Sequence, residues 1–366
     1  MLERTHQAFK NDPAGTVGMT DGLLSISKEE LVSVLRHISN DNNLLADAWK
    51  RSARTKIFDK LYLLSGSDNK SGKWNLRLHL YPVGTGEDGA AESPHFHRWT
   101  LASKIVWGGY LNTNYDVKRS EQALAQADDK DKFSAYSLEG SDKQSDSKVR
   151  TATKLYDAAV TPAEEKIYGR GDIKHFPITT AHGVTTFPGF LGTSMSLALS
   201  SAAEVESSIG FEKSANLTSL PSQNYADVQE LKSELQKRAV LLQLIDLSDS
   251  LHEHLSSKAN PTEGEKKHMN DHKEFNYIET SLLPAMAILN MTKGKNTEFG
   301  ADTIKFLNSQ IENIDKQHLA FFTSGNQSDL LEKKLSVNPA AGLSTALRLR
   351  AKLAAEGAHQ NDSKAA

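Results

Sequence analysis

The chain has 366 residues, 38% of them hydrophobic and 24% charged, and it carries a formal net charge of −3. This mild acidity argues against a general nucleic-acid binder. The sequence has no apolar run of membrane-spanning length and no apolar core of a secretory signal. We therefore expect a cytoplasmic protein with neither nucleic acid nor membrane as partner. The absence of cysteine excludes disulfides, thiolate metal sites and cysteine nucleophiles, so the 13 histidines, the carboxylates and the hydroxyls must supply any chemistry.

Residues 1–57 are predicted to form a loose tail followed by a helix. Ser27 and Glu30 have the spacing of a capping box, in which each side chain accepts from the backbone N–H of the other residue. Leu31, Val34, Leu35 and Ile38 then recur at helical spacing. This segment is therefore predicted to be a helical preface to the rest of the chain.

From residue 58 to 118 the apolar residues alternate with a period of two, which predicts strands. The stretch "KWNLRLHLYPV" places four apolar side chains on one face and four polar or aromatic ones on the other: Trp74, Leu76, Leu78 and Leu80 against Asn75, Arg77, His79 and Tyr81. Short strands and Gly/Pro turns resume at 167–201. Many short strands favour a barrel or sandwich over an α/β fold, and neither a dinucleotide fingerprint nor a phosphate loop is present.

Composition divides the remainder of the chain. Residues 119–150 are polar and serine-rich, and we predict a solvated insertion within a barrel spanning 58–215. From 223 to 356 we predict an antiparallel helical bundle, and at 357–366 a disordered tail. The bundle rests on three apolar stripes at helical spacing: Val228, Leu231, Leu235 and Leu242; Phe275, Ile278, Leu282, Met286 and Leu289; Ile304, Leu307, Ile311, Ile314 and Phe321.

Two histidines one residue apart open the most informative stretch, "SPHFHRWTLASKIVWGGYL". In a strand, residues i and i+2 point to the same side, so His95 and His97 would aim both imidazoles at one point. Alone, such a pair is equally compatible with a polar strand face. His182, in "ITTAHGVTTF" just before the apolar run "TSMSLALS", offers a third ligand.

These two stretches resemble the two motifs of the cupin superfamily over residues 58–201. The first cupin motif has two histidines at i and i+2, often a glutamate, and then a glycine; the second supplies a further histidine on a neighbouring strand. The resemblance implies a mainly β fold, the double-stranded β-helix or jelly-roll barrel of cupins, here with an N-terminal helical preface and a C-terminal helical bundle.

One departure from the cupin pattern narrows the resemblance. Leu101 and Ala102 stand where the glutamate ligand is usual, and neither binds metal. Three histidines without a carboxylate are similar to the cysteine dioxygenase (thiol dioxygenase) branch. The resemblance then implies that His95, His97 and His182 hold Fe(II), leaving three positions for O2 and a small polar substrate.

Imidazole ligands do not themselves select iron, and Ni, Mn, Co, Cu or Zn would also fit. The function implied by the resemblance is a mononuclear non-haem Fe(II)-dependent oxygenase. Two alternatives remain open: a non-redox metal-dependent isomerase or lyase, and a non-catalytic ligand-binding cupin.

Four residues, with Arg98 as an alternative to the first of them, are candidates for catalytic roles around this metal. Arg77 offers a bidentate fork for a substrate carboxylate; Arg98 could do the same, although a surface salt bridge suits it better. His79 either lines the cavity or is a hydrogen-bonded barrel residue. Tyr81 and Tyr110 are candidate hydrogen-bond donors to an oxygen intermediate, with aromatic packing as the alternative.

Other histidines raise further possibilities. His175, seven residues before His182, could join the metal set or lie outside it. His268 and His272 share a helix face that, with Glu279, could form a second metal site, but a packing role is favoured because no Glu-x-x-His pattern recurs. His252 and His254 are two apart on a helix, so their side chains diverge, and His318 on the apolar stripe is expected to be a buried, hydrogen-bonded core residue. The bundle is expected to serve as a homodimer interface or as a cover over the barrel.

Overall fold

The computed structural model describes residues 16–54, 58–68, 72–82, 92–139, 149–186, 193–213, 216–217, 219–221, 225–272, 282, 299–312 and 314. It divides the chain into two compact units. One unit contains the helices within residues 24–52 and 224–330, and the other contains residues 53–223 with all the strands. The helix after residue 27 therefore clusters with the later helices.

The helices within the described ranges are α1 (Thr16–Leu24), α2 (Lys28–Asn40), α3 (Asn42–Arg51), α4 (Glu121–Gln126), α5 (Val228–Ser256), α6 (Glu263–Asp271) and α7 (Ala301–Ile311). The predicted capping box of Ser27 and Glu30 is confirmed at the start of α2, where both reciprocal hydrogen bonds are present. None of these helices is long and apolar enough to cross a membrane.

Helix α2 packs along α5 in the helical unit. Lys28 pairs with Asp246 and Asp249, and Arg36 Nη2 donates to Gln243 Oε1 at 2.8 Å. The first predicted stripe is buried on α5 at Leu231, Leu235 and Leu242. Of the other two stripes, Leu282, Leu307 and Ile314 are buried, Ile304 and Ile311 are partly exposed, and Phe275, Ile278, Met286, Leu289 and Phe321 lie outside the described residues, as do His318, Glu279 and the predicted tail.

The strands are β1 (Ala53–Arg54), β2 (Asp59–Asp68), β3 (Gly72–Pro82), β4 (His95–Phe96), β5 (Leu101–Trp107), β6 (Gly109–Lys118), β7 (Lys132–Glu139), β8 (Val149–Gly169), β9 (Ile173–Phe176), β10 (Ala181–Thr186), β11 (Thr193–Ser200), β12 (Ser208–Glu212) and β13 (Ser219–Pro221). Among the described residues they form two antiparallel sheets, of six and seven strands. The mainly β prediction is confirmed for this part of the chain.

The six-stranded sheet has the order β1-β2-β3-β11-β5-β9, and the seven-stranded sheet the order β13-β8-β6-β10-β4-β12-β7. In the larger sheet, the 21-residue strand β8 pairs with β7 through its first half and with β6 through its second half. The hydrogen bonding therefore runs in a closed circuit from β8 through β6, β10, β4, β12 and β7 back to β8. Ala159 of β8 is the residue at which the pairing passes from β7 to β6.

The core between the sheets is built from side chains of both. One cluster of buried residues draws on the first sheet through Tyr81, Leu101, Ile105, Phe176 and Ala198, and on the second through Tyr110, Tyr168 and Val184. Because side chains alternate along a strand, the Tyr81 face of β3 is the face that also carries Arg77 and His79. The predicted polar face of β3 therefore points into the interior, and the leucine face is buried as well.

The prediction of a solvated insertion at 119–150 is wrong for its described part. Residues 121–126 form α4, 132–139 form β7 in the closed sheet, and β8 begins at residue 149. Ala135 and Tyr136 are fully buried on β7. The strand is hard to recognise because it follows a charged run and its buried faces mix Ser134 and Ser137 with Tyr136 and Leu138. Residues 140–148 lie outside the described ranges.

A buried carboxylate makes the helical unit sensitive to acid. Glu265 is 0% exposed and accepts from Lys258, Thr303, Gly300 and Thr262. Burial raises the pKa of Glu265, but these hydrogen bonds outweigh burial and hold the pKa at about 2. Because the folded pKa lies below the unfolded value, the stabilisation is complete above about pH 4.5 and is lost as pH falls toward 2.

We expect Glu265→Gln to lower the free energy of unfolding by about 2 kcal/mol at pH 7. The variant should also lack the part of the acid-induced loss of stability that Glu265 contributes. Urea unfolding of both proteins between pH 7 and pH 2.5 measures this, and a Gln variant as pH-sensitive as the parent in this window would contradict it.

Candidate metal centre

Two short strands bring distant histidines together at one end of the closed sheet. His182 on β10 is the direct cross-strand partner of His95 on β4, which places their Cβ atoms about 5 Å apart. Strand β4 ends at Phe96, so His97 lies just beyond the strand and its ring is perpendicular to that of His95, at 89°. One ligand atom from each of the three histidines lies within 4.8 Å of the other two, so the group could hold a metal ion.

Backbone and side-chain acceptors set the tautomers of two of these histidines. His95 Nδ1 donates to the carbonyl oxygen of Ser93 at 3.0 Å, and His182 Nδ1 donates to Asn112 Oδ1 at 3.1 Å. Both rings therefore keep an Nε2 lone pair, the arrangement usual for metal-binding histidines. His182 is 3% exposed, and burial first, then the neighbouring His95, His97 and Lys174, lowers its pKa well below 6.5. At neutral pH it is in the neutral form that binds metals.

The spacing of the ring nitrogens fits a shared ion. His182 Nε2 and His97 Nε2 are 2.9 Å apart. Two imidazole nitrogens bound at about 2.1 Å and at roughly 90° to each other would lie about 3 Å apart. The tautomers, the neutral His182 and this distance all agree with a centre in which the three histidines are the protein ligands.

Aromatic rings hold the imidazoles from the side. The Phe176 ring lies 4.3 Å from the His182 ring and 6.0 Å from the His97 ring, and the Trp99 ring stacks on His97 at 6.3 Å. These contacts restrict the orientations of the His97 and His182 rings.

The residue at the usual glutamate position lies in the apolar core. Leu101 is 5% exposed and belongs to the cluster that contains Phe176, its cross-strand partner. Within the described residues the candidate ligand group consists of histidines alone. The centre therefore has no carboxylate ligand to offset the charge of a cation.

Arg77 is connected to the three-histidine group by the Trp99 ring. Its guanidinium lies 4.9 Å from the Trp99 ring that contacts His97, and 5.2 Å from the Tyr62 ring. Arg77 is 3% exposed and donates to Ser200 Oγ, but its Nε lacks a hydrogen-bond acceptor. No carboxylate pairs with Arg77 among the described residues. A buried cation of this kind is costly unless an anion joins it.

The other three candidates form an aromatic group in the same interior. His79 contacts Phe58 at 4.8 Å, Tyr81 contacts Phe58 and Tyr110 at 5.3 and 5.7 Å, and Tyr110 contacts Tyr168. Burial first, then Arg77 and Lys60, lowers the pKa of His79 well below 6.5, so it is neutral. Burial also raises the pKa of Tyr81 and Tyr110, so both keep their hydroxyl protons at neutral pH. Their ring contacts are with this group and not with the three histidines.

His175 faces away from the centre. It is the cross-strand partner of Ala102 on β5, and its Nε2 lies 2.7 Å from Thr20 Oγ1. Phe176, the next residue, points into the interior. The possibility that His175 joins the ligand set is therefore not supported.

The helical histidines stack on neighbouring rings. His272 stacks on His252 at 4.2 Å, and His254 on Phe306 at 4.6 Å. His268, one turn from His272, packs instead against Phe299. The two members of the i, i+4 pair thus contact different rings, and the packing role favoured for them is the one the geometry supports.

The sequence did not point to Trp99, Asn112 and Phe176, which contact the rings of the candidate metal ligands. The sequence contained a signal for two of them. Asn112 lies two residues after Tyr110 on β6, and Trp99 lies two residues after His97, so each would share a side of an extended chain with a candidate site residue. Phe176 had no comparable signal, because its contact depends on how β9 pairs with β5.

Gly183, next to His182, allows the chain to approach β10 closely. A Cβ atom on Gly183 would lie 2.8 Å from the carbonyl oxygen of Glu92, whose N–H donates to Val184 O. We expect Gly183→Ala to displace the segment leading into His95, to destabilise the fold by about 1–3 kcal/mol and to weaken metal binding. Gly169→Ala is the matched control, because its Cβ would meet nothing closer than 3.9 Å.

Thermal unfolding and Co(II) titration of both glycine variants measure these effects. Equal stability and equal affinity in the two variants would contradict the role given to Gly183.

Comparisons with known proteins leave the family open. No protein-family model matches the chain, and no curated protein matches it. Solved structures with a similar backbone include KdgF from Halomonas sp., at 12% identity and a TM-score of 0.21, covering 39% of this chain and 79% of that chain.

Two further structures match at the same level. The DMSP lyase DddQ from Ruegeria pomeroyi DSS-3 has 12% identity and a TM-score of 0.20, covering 42% of this chain and 50% of that chain. The Cnp3 cupin domain from Schizosaccharomyces pombe has 7% identity and a TM-score of 0.21, covering 41% and 66%. The chain thus spans about half of the DMSP lyase. At these TM-scores the similarities assign neither a family nor an activity to the chain.

Proposed function

We propose that the strand unit is a cupin barrel carrying a mononuclear non-haem Fe(II) centre, and that the protein is an oxygenase of the cysteine dioxygenase type. The observation that carries the proposal is the group of three histidine ligand atoms within 4.8 Å, without a carboxylate, in the interior of an antiparallel β fold. The substrate is a small polar molecule that binds the metal together with O2.

The three imidazoles set what the centre can bind. Because His95, His97 and His182 are neutral as ligands, they leave the charge of a divalent cation uncompensated and favour an anionic substrate group. Iron would supply redox chemistry with O2 and a template that holds O2 and substrate side by side. His182 keeps its proton on Nδ1, where Asn112 accepts it, and presents its Nε2 lone pair to the ion.

The buried guanidinium of Arg77 supports an anionic substrate independently. It has free donor capacity at Nε, and among the described residues it has no carboxylate partner. A substrate carboxylate would supply that charge and would be oriented by the planar fork.

The neighbouring aromatic group supplies proton donors. Tyr81 and Tyr110 hold O–H protons at neutral pH because burial raises the pKa of each. We propose that they donate hydrogen bonds to bound substrate or oxygen, and that neutral His79, whose ring lies 6.3 Å from that of Tyr81, lines the substrate site.

Oxygen consumption by the Fe(II)-loaded protein tests the proposal. Small thiols, amines and carboxylates are supplied one at a time under an oxygen electrode, with the metal-free protein and a His95→Ala variant as controls. We expect substrate-dependent O2 uptake by the Fe(II) form alone.

Other outcomes would replace the proposal. Equal uptake by the metal-free protein would contradict it. Turnover of a substrate without O2, with Zn, Ni or Mn bound, would assign a non-redox isomerase or lyase. Binding of a ligand without turnover under either condition would assign a non-catalytic cupin.

A further inference from the structure

A line of hydrogen bonds connects the ligand His182 to the protein surface. His182 Nδ1 donates to Asn112 Oδ1 at 3.1 Å, and Asn112 Nδ2 donates to Asn114 Oδ1 at 2.9 Å. Asn114 Nδ2 in turn donates to Glu164 Oε2 at 2.7 Å. His182 and Asn112 are buried, Asn114 is partly exposed, and Glu164 is exposed. We call these three residues, Asn112, Asn114 and Glu164, the amide relay.

Three neighbouring strands hold the amide relay in register. Asn114 on β6 is the cross-strand partner of His182 on β10 and of Glu164 on β8. Asn112 lies two residues before Asn114 and points to the same side. The two amides on β6 therefore link His182 on β10 to Glu164 on β8 within the sheet.

The carboxylate end determines the direction of every bond in this line. An ionised carboxylate only accepts, so Asn114 must present its NH2 group to Glu164 and its oxygen to Asn112. Asn112 must then present its NH2 group to Asn114 and its oxygen to His182. Only a protonated Nδ1 satisfies that oxygen, which leaves the lone pair of His182 on Nε2.

Burial makes the direction of these hydrogen bonds important for stability. Asn112 is 1% exposed, so water does not replace a lost partner, and a buried unpaired amide group is costly. Its cross-strand neighbour on β8, Lys166, extends over the Tyr168 ring instead. Without an acceptor at the far end, the two amides could turn over together, and the proton of His182 would move to Nε2, where it blocks a metal.

We propose that Glu164 is a positioning residue that sets the tautomer of His182 through Asn114 and Asn112, and so prepares this histidine to bind metal. The effect of the amide relay on metal binding rests on the metal centre under "Proposed function". Its effect on the tautomer of His182 does not. Under this proposal Glu164, an exposed residue that contacts none of the three histidines, influences the metal affinity.

Reversing the charge of Glu164 tests the relay. A lysine only donates, so Glu164→Lys favours the opposite direction of every bond and protonated Nε2 on His182. The matched control is Glu165→Lys, which makes the same charge change on the adjacent exposed residue of β8, whose side chain points to the other side of the strand. A double variant, Glu164→Lys with Asn112→Asp, restores an acceptor-only group beside His182.

Two readouts are needed. Long-range 1H–15N spectra of the metal-free proteins at pH 8 report the tautomer of His182, and Co(II) titration reports metal affinity. We expect protonated Nδ1 in the parent, Glu165→Lys and double variants, and a shift to protonated Nε2 in Glu164→Lys. We expect Glu164→Lys to bind Co(II) roughly tenfold more weakly than Glu165→Lys, with the double variant regaining most of the loss.

The outcomes separate the relay from the metal centre. Protonated Nε2 in the parent, or the same tautomer in Glu164→Lys as in Glu165→Lys, would overturn the relay. A tautomer that depends on Glu164 in a protein that binds no Co(II) would uphold the relay and overturn the metal centre.

Discussion

The His97→Ala variant is expected to lose both metal and oxygenase activity while keeping its fold. In the proposed centre His97 supplies one of three protein ligands, and removal of one ligand should weaken metal binding on the order of a thousandfold. His97 is partly exposed and lies beyond the end of β4, so its truncation removes little of the core. Oxygen uptake should fall to the level of the metal-free protein.

The control for this prediction is His175→Ala. His175 lies on β9 beside Phe176 but faces away from the centre, with Thr20 as its partner. This variant should keep metal content and O2 uptake close to the parent values. Co(II) titration and oxygen electrode measurements on both variants decide the matter, and equal losses in the two would contradict the ligand assignment.

The second large effect is expected at Arg77. If its guanidinium binds the substrate carboxylate, Arg77→Met should raise KM by about a hundredfold or more, because a buried charge-assisted hydrogen-bonded pair is lost. Metal content should not change, since Arg77 touches the centre only through Trp99. The fold should tolerate the change, because methionine removes an unpaired buried charge and keeps much of the apolar stem.

Arg98→Met provides the comparison. Its guanidinium lies 4.8 Å from the same Trp99 ring, but the residue is partly exposed. We expect a change in KM of less than about threefold for this variant. A substrate whose KM responds to Arg98 and not to Arg77 would transfer the anion-binding role to Arg98.

Local patterns predicted those parts of the molecule that depend on neighbours in sequence. The capping box of Ser27 and Glu30 needs only a spacing of three residues, and the alternation along β3 needs only the period of a strand. Both are present. The three histidines were found because two are adjacent in the pattern and the third precedes another strand-like run.

Longer-range features escaped prediction for physical reasons. The strand β7 follows a charged run and carries a serine on each face, so it resembles a loop until its pairing with β8 and β12 is known. The relay residues Asn114 and Glu164 are 50 residues apart and meet only through strand register. His97 was expected to continue a strand with His95, but β4 ends at Phe96 and the rings converge through the following turn.

X-ray absorption spectroscopy of the anaerobically Fe(II)-loaded protein tests the central claim most directly, because it reports the ligands of the ion itself. The proposed function predicts one iron centre with three imidazole ligands and no protein carboxylate, with the remaining positions filled by water. Fewer than three imidazoles, a carboxylate from the chain, or failure to retain iron would contradict the three-histidine centre.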